Sequence, residues 1–188
     1  MRLLSSLFLA AGLLGSLAAP ANADDGPRAD VAGGYSLIYD HDIKTTFPAG
    51  WFASASVNVS NFFAVAGEAS GHYTTVNAGS SNASLRVHTF LAGPRLVAGT
   101  GAVRFYVEVL AGAATASAGV NVPSGGTSAA ASGSETDFCY MPAVGLDIGF
   151  NRETAMRIGA GERLIRVSGG STSKEFQAIA GIVIRFEK

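Results

Sequence analysis

Charge is scarce in this sequence. Asp, Glu, Lys and Arg make up 14% of its 188 residues, against about 25% in a typical soluble protein. Lysine occurs only at Lys44, Lys174 and Lys188. A formal net charge of −1 supplies no basic field for a nucleic-acid partner. Long apolar runs are missing too: after the first 17 residues nothing approaches the roughly 18 in a row that suggest a spanning helix. The lone cysteine, Cys139, excludes an internal disulfide and reads as a small buried filler. No metal-ligand cluster, phosphate-cradling loop or nucleophile–base motif appears, so no cofactor or metal is expected. Gly99-Thr100-Gly101 and Gly159-Ala160-Gly161 are turn and strand glycines. Low charge without an apolar helix is the composition of a β-barrel that faces lipid.

What is present begins with an export signal. Met1-Arg2, an apolar stretch from Leu3 to Leu17, and Ala21-Asn22-Ala23 have the form of a signal peptide with its cleavage site at Ala21 and Ala23. Residues 1–23 are therefore expected to be removed, leaving 24–188 as one barrel domain. The apolar stretch is short for a membrane anchor, and no cysteine follows it to carry a lipid.

The rest alternates with period two, the mark of strands with one apolar face. Eight strands are predicted: 30–39, 51–59, 62–73, 85–91, 103–113, 138–150, 155–167 and 176–186. The last is the most regular, with Phe176, Ala178, Ala180, Ile182, Ile184 and Phe186 against Glu175, Gln177, Ile179, Gly181, Val183 and Arg185. Gly93-Pro94 is expected to end or bulge the fourth strand. The Gly159–Glu162 stretch suggests a parity-shifting bulge in the seventh. Connections alternate short (Ser60-Asn61, 98–101, 151–153) and longer (after strands one, three, five and seven). The longest, Thr115 to Thr136, is almost all Ala, Ser and Gly and reads as a flexible loop. That rhythm is the layout of an antiparallel up-and-down transmembrane β-barrel.

An eight-stranded barrel is just wide enough for side chains to fill it, so the polar set belongs inside. This predicts an interior network of Glu68, Arg86, His88, Arg104, Glu108, Asp147, Arg157 and Arg185. Asp147, Arg157 and Arg185 would meet near the periplasmic end. Glu68 and Glu108 would flank Arg86 and His88 at mid-height. Paired charges offset their desolvation; unpaired ones are costly. Tyr39, Trp51, Tyr73, Tyr140 and Phe176 would form an outer aromatic girdle, and Phe63, Phe105, Phe150 and Phe186 a periplasmic one.

Gly181-x-x-Ile184-x-Phe186 resembles the C-terminal signal read by the outer-membrane barrel-assembly machinery. His88-Thr89-Phe90-Leu91-Ala92-Gly93-Pro94-Arg95, Gly145-Leu146-Asp147 with Asn151-Arg152, and Ala180 to Phe186 resemble the small outer-membrane protein β-barrel domain family. These are eight-stranded barrels like the membrane domain of outer-membrane protein A, here without a periplasmic domain. The resemblance implies an integral protein of the cell outer membrane, a monomer surrounded by outer-membrane lipid. It is compatible with a structural role or an adhesive one in which loops meet an extracellular ligand.

Two other functions can be weighed. A lipid-modifying barrel enzyme resembling the lipid A deacylases needs His and Ser two apart on a strand. His88 is followed by Thr89-Phe90 and His72 by Tyr73-Thr74, so the pair is absent. His41, between Asp40 and Asp42, reads as solvated loop charge. A secreted lipocalin-like carrier would need the apolar set inside and a solvated exterior, which 14% charge does not supply.

Overall fold

A computed structural model describes residues 29–78, 81–99, 102–124, 127–167 and 170–186. The expected signal segment, with Ala21 and Ala23, lies outside the described residues. The described elements are β1 (Ala29–Asp40), β2 (Thr45–Phe47), β3 (Ala49–Asn58), β4 (Phe63–Ala78), β5 (Ser81–Ala98), β6 (Val103–Ser124), β7 (Thr127–Gly149), β8 (Thr154–Arg166) and β9 (Thr172–Phe186). From β3 onward each strand pairs antiparallel with the next, and β9 pairs back onto β1 from Ala29↔Phe186 to Asp40↔Glu175. That pairing closes the sheet.

Nine elements make eight staves. β2 and β3 share one edge of β1, interrupted at Pro48, which has no N–H to give to a ladder. Between Tyr35↔Trp51 and Ile38↔Phe47 the chain advances three residues on β1 and four on its partner. One extra residue is a β-bulge. The Tyr35 hydroxyl donates to the Pro48 carbonyl across it.

Three expectations need correction. Gly93-Pro94 does not end its strand: β5 pairs with β4 through both residues and resumes its ladder with β6 at Arg95↔Glu108 in unchanged register. Gly159–Glu162 is no bulge either, because β8 keeps one register with β9 from Thr154↔Ile184 to Arg166↔Thr172. Its glycines face inward because large neighbours fill the space. A Cβ on Gly159 would lie 2.5 Å from the Tyr106 hydroxyl, and one on Gly161 would lie 2.9 Å from Ala143 Cβ.

The Ala/Ser/Gly segment is not a flexible loop. β6 and β7, of 22 and 23 residues, continue as a ribbon to Ser124↔Thr127. That is about twice the 9–11 residues a strand needs to cross a bilayer. Backbone bonding carries such a ladder, and small side chains do not oppose it. At the opposite end the chain turns tightly through 59–62 and 150–153. The barrel thus has a turn end and a hairpin end.

Candidate functional site: the barrel interior and its upper wall

Side chains from all the staves meet in the lumen, and toward the turn end they meet on Arg157. This guanidinium is almost fully buried. Its Nε donates to Asp147 Oδ1 at 2.8 Å and its Nη2 to Asp147 Oδ2 at 3.0 Å, the two-pronged geometry suited to a carboxylate. Nη2 also reaches Asp30 Oδ1 at 3.1 Å, and Nη1 donates to Ser54 Oγ at 3.1 Å. One side chain on β8 therefore ties its neighbour β7 to β1 and β3 across the lumen. Ser56 donates to the other oxygen of Asp30 at 2.5 Å. Arg185 stands 3.9 Å from Asp147.

Arg95 provides a second hub, donating to Glu108 at 2.8 Å with Asp30 at 3.8 Å. The Tyr106 ring lies against both hubs, its centroid 4.6 Å from the Arg95 guanidinium carbon and 5.0 Å from that of Arg157. Arg104 faces the same space, lining a gap with Asp30, Asp147 and Arg157.

Above this lies a chain of hydrogen-bonded polar side chains. Gln177 Nε2 donates to Glu68 Oε1 at 3.0 Å and to Ser36 Oγ at 3.1 Å, and Ser36 Oγ lies 2.8 Å from His72 Nε2. A serine beside a histidine has the outline of a nucleophile and its base. Both residues are completely buried in the barrel, and His72 Nδ1 meets no hydrogen-bond partner among the described residues. Higher again, Arg163 pairs with Glu175 at 2.9 Å, beside Ser70 and Thr89, whose hydroxyls are 2.6 Å apart.

Six members of the expected network face the lumen: Glu68, Arg104, Glu108, Asp147, Arg157 and Arg185. Arg86 and His88 do not join them. Val87, Thr89 and Leu91 are the buried residues of β5, while Arg86, His88 and Phe90 lie on the outer wall. Arg95 takes the place expected of Arg86 beside Glu108. Sequence reasoning missed Asp30, Arg95, Arg163 and Glu175. Arg95 was hidden by ending the strand at Leu91, before Gly93-Pro94, and Arg163 by assuming a bulge. The inward parity of Gly159 and Gly161 runs straight to Arg163.

From the turn end through mid-height the outer wall is apolar. Val65, Phe105, Val109, Val144, Ile158, Ile182 and Ile184 are among its exposed residues. Two gaps lined by interior residues are each about 10 Å³, room for about one water. A polar, packed lumen inside an apolar wall is the reverse of a lipocalin-like carrier.

No family model matches the sequence, and no curated protein matches it. Solved structures do. The attachment invasion locus protein Ail of Yersinia pestis superposes with a TM-score of 0.62 at 17% identity, over 86% of this chain and 99% of that one. Neisserial surface protein A gives 0.53 at 14% identity, over 84% and 96%. The outer membrane protein OprG of Pseudomonas aeruginosa gives 0.53 at 11%, over 87% and 97%. The chain has the fold of a small outer-membrane β-barrel. In such barrels the tight turns lie on the periplasmic side and the longer connections outside. The Arg157 hub is then toward the periplasmic end and the β6–β7 ribbon is extracellular. Trp51, Tyr73 and Phe176 stand exposed toward the outer rim, and Phe105, Phe150 and Phe186 toward the periplasmic one.

Proposed function

We propose that the protein is a non-enzymatic, monomeric integral outer-membrane barrel that contributes to envelope integrity and offers its extracellular hairpins to a ligand. Its lumen is closed by the charged and polar network rather than kept open as a pore. The observation that carries this reading is Arg157, whose bonds join its neighbour β7 and reach across the lumen to β1 and β3. The hairpin end is the surface free to meet partners. Ail has been solved with the heparin analogue sucrose octasulfate, and the hairpin end of this barrel is the place to seek an extracellular ligand.

In this reading residues 1–23 direct export. Gly181, Ile184 and Phe186 present the assembly signal, with Ile184 and Phe186 on the outer wall and Gly181 packed against the Gly33 backbone. Gel mobility of the unheated and heated protein in detergent tests the barrel: a heat-dependent shift is expected, and recovery as a soluble periplasmic protein would overturn it. Planar-bilayer recording tests the plug, with a steady conductance counting against it.

A further inference from the structure

The outer wall changes character on the extracellular stretches of β4 and β5. Phe90, 63% exposed, ends the apolar part of β5, and the next two outward residues are His88 and Arg86. His88 belongs to a cluster. Trp51 Nε1 donates to the Tyr73 hydroxyl at 3.3 Å, and that hydroxyl lies 3.1 Å from His88 Nε2, with the Tyr73 and His88 rings edge-to-face at 5.6 Å. Gly71, between Trp51 and His88 in the ladder, is what admits both rings. A Cβ there would come within 2.6 Å of Trp51 Nε1 and 3.1 Å of His88 Cδ2.

Arg86 lies directly opposite Tyr73 on one side and Ser117 on the other. It forms no ion pair among the described residues. The polar strip continues onto the ribbon, where Thr115 pairs by hydroxyl with Thr136 at 2.9 Å and Ser117 with Ser134 at 3.3 Å. A guanidinium with no ion pair among the described residues thus stands beside a linked imidazole, phenol and indole, just above an exposed phenylalanine, where an apolar wall gives way to a polar one.

The geometry points to a binding site for the phosphorylated headgroup of an outer-leaflet lipid, in which Arg86 grips the phosphate and Phe90 lies along the acyl chain. A guanidinium fork matches phosphate oxygens two at a time. Tyr73 and His88 offer further hydrogen bonds beside it. Trp51 suits a position with one end in hydrocarbon and the other in water. The charge is complementary, and the depth is set by Phe90.

Trp51 is the only tryptophan in the sequence, so the site carries its own reporter. The full barrel in zwitterionic detergent is titrated with a bis-phosphorylated glycolipid of the lipid A type, following Trp51 emission. A saturable change is expected, weakened at least tenfold with the dephosphorylated glycolipid and at least tenfold in Arg86→Gln. His88→Gln should weaken it less, and Arg152→Gln, in a turn at the other end, not at all. Equal response to both glycolipids, or an unchanged Arg86→Gln, would overturn the inference. The same change from inorganic phosphate at like concentration would remove the lipid as its ligand. The inference rests on the membrane-barrel reading, but the two fail separately: loss of the heat-dependent mobility shift sinks that reading, whereas a retained shift without binding sinks only the lipid site.

Discussion

Around β5, the membrane-height wall and the hairpin rim of this barrel differ in which residues face outward. In the span the inward positions hold Asp30, Arg95, Glu108, Asp147 and Arg157, while valine, isoleucine and phenylalanine face out. At the rim Ile38, Phe47, Val87 and Leu85 pack together on the inside, and Arg86, His88, Thr115 and Ser117 take the outer positions. On β5 the parity is the same from Val87 to Arg95; the surroundings of its outer face change. Where lipid gives way to water the cheaper face to expose changes sign, and the sequence pattern inverts along an uninterrupted strand. The same arginine chemistry is therefore structural at one level and available for recognition at the other.

The sharpest way to break this contrast is to remove an arginine from each level. Arg157→Ala should cost about 3–5 kcal/mol, because Asp147 and Asp30 would lose their main buried partner, as read from urea unfolding in detergent. Arg86→Ala should stay within about 0.5 kcal/mol, as expected for a surface site. Equal losses would mean that the two levels do not differ. Adding a charge to the wall is the converse. Val144→Arg, at mid-height facing lipid, should cost about 2–4 kcal/mol in a bilayer, and Ser117→Arg about 0–1.

Smaller effects test packing. Gly159→Ala drives a methyl against Tyr106 and should cost about 1–3 kcal/mol. At Gly133, on the ribbon, a Cβ meets nothing within 4 Å, and alanine there should leave unfolding unchanged. Smallest is Ser70→Ala, which breaks the 2.6 Å contact with Thr89 and should cost about 0.5–1.5 kcal/mol. Ser134→Ala, at the exposed ribbon, should be silent by the same measurement.

The strand count, closure and most facings could be read from the sequence because period two survives wherever one face meets hydrocarbon. Asp147, Arg157 and Arg185 were legible as neighbours because strands six to eight keep that period. Arg86 and His88 were misplaced because a polar residue was taken to mean lumen, a rule valid only at membrane depth. Proline and glycine misled in the other direction. Pro94 and Gly161 look like interruptions along the chain, yet Pro94 sits within a continuous strand and Gly161 makes way for Ala143 and the Pro142 backbone. The Ser36–His72–Gln177 chain could not be found at all, since its members are brought together only by barrel curvature and stagger.

The seam between β1 and β9 has a kinetic consequence. Every other pairing joins strands close in sequence and can form as a local hairpin or its extension, whereas this one joins Ala29 to Phe186. Its loop-closure entropy has to be met by a single late event, which is the step that slows folding of non-local sheets. The seam also has little tolerance for error. Gly34 and Gly181 meet there backbone to backbone, a Cβ on Gly34 falling 2.4 Å from the Gly181 Cα. A slip of one residue would turn Gln177 and Arg185 toward lipid. Closure is therefore a proofreading step, in which only the correct register removes both open edges and every charge on β9 from hydrocarbon.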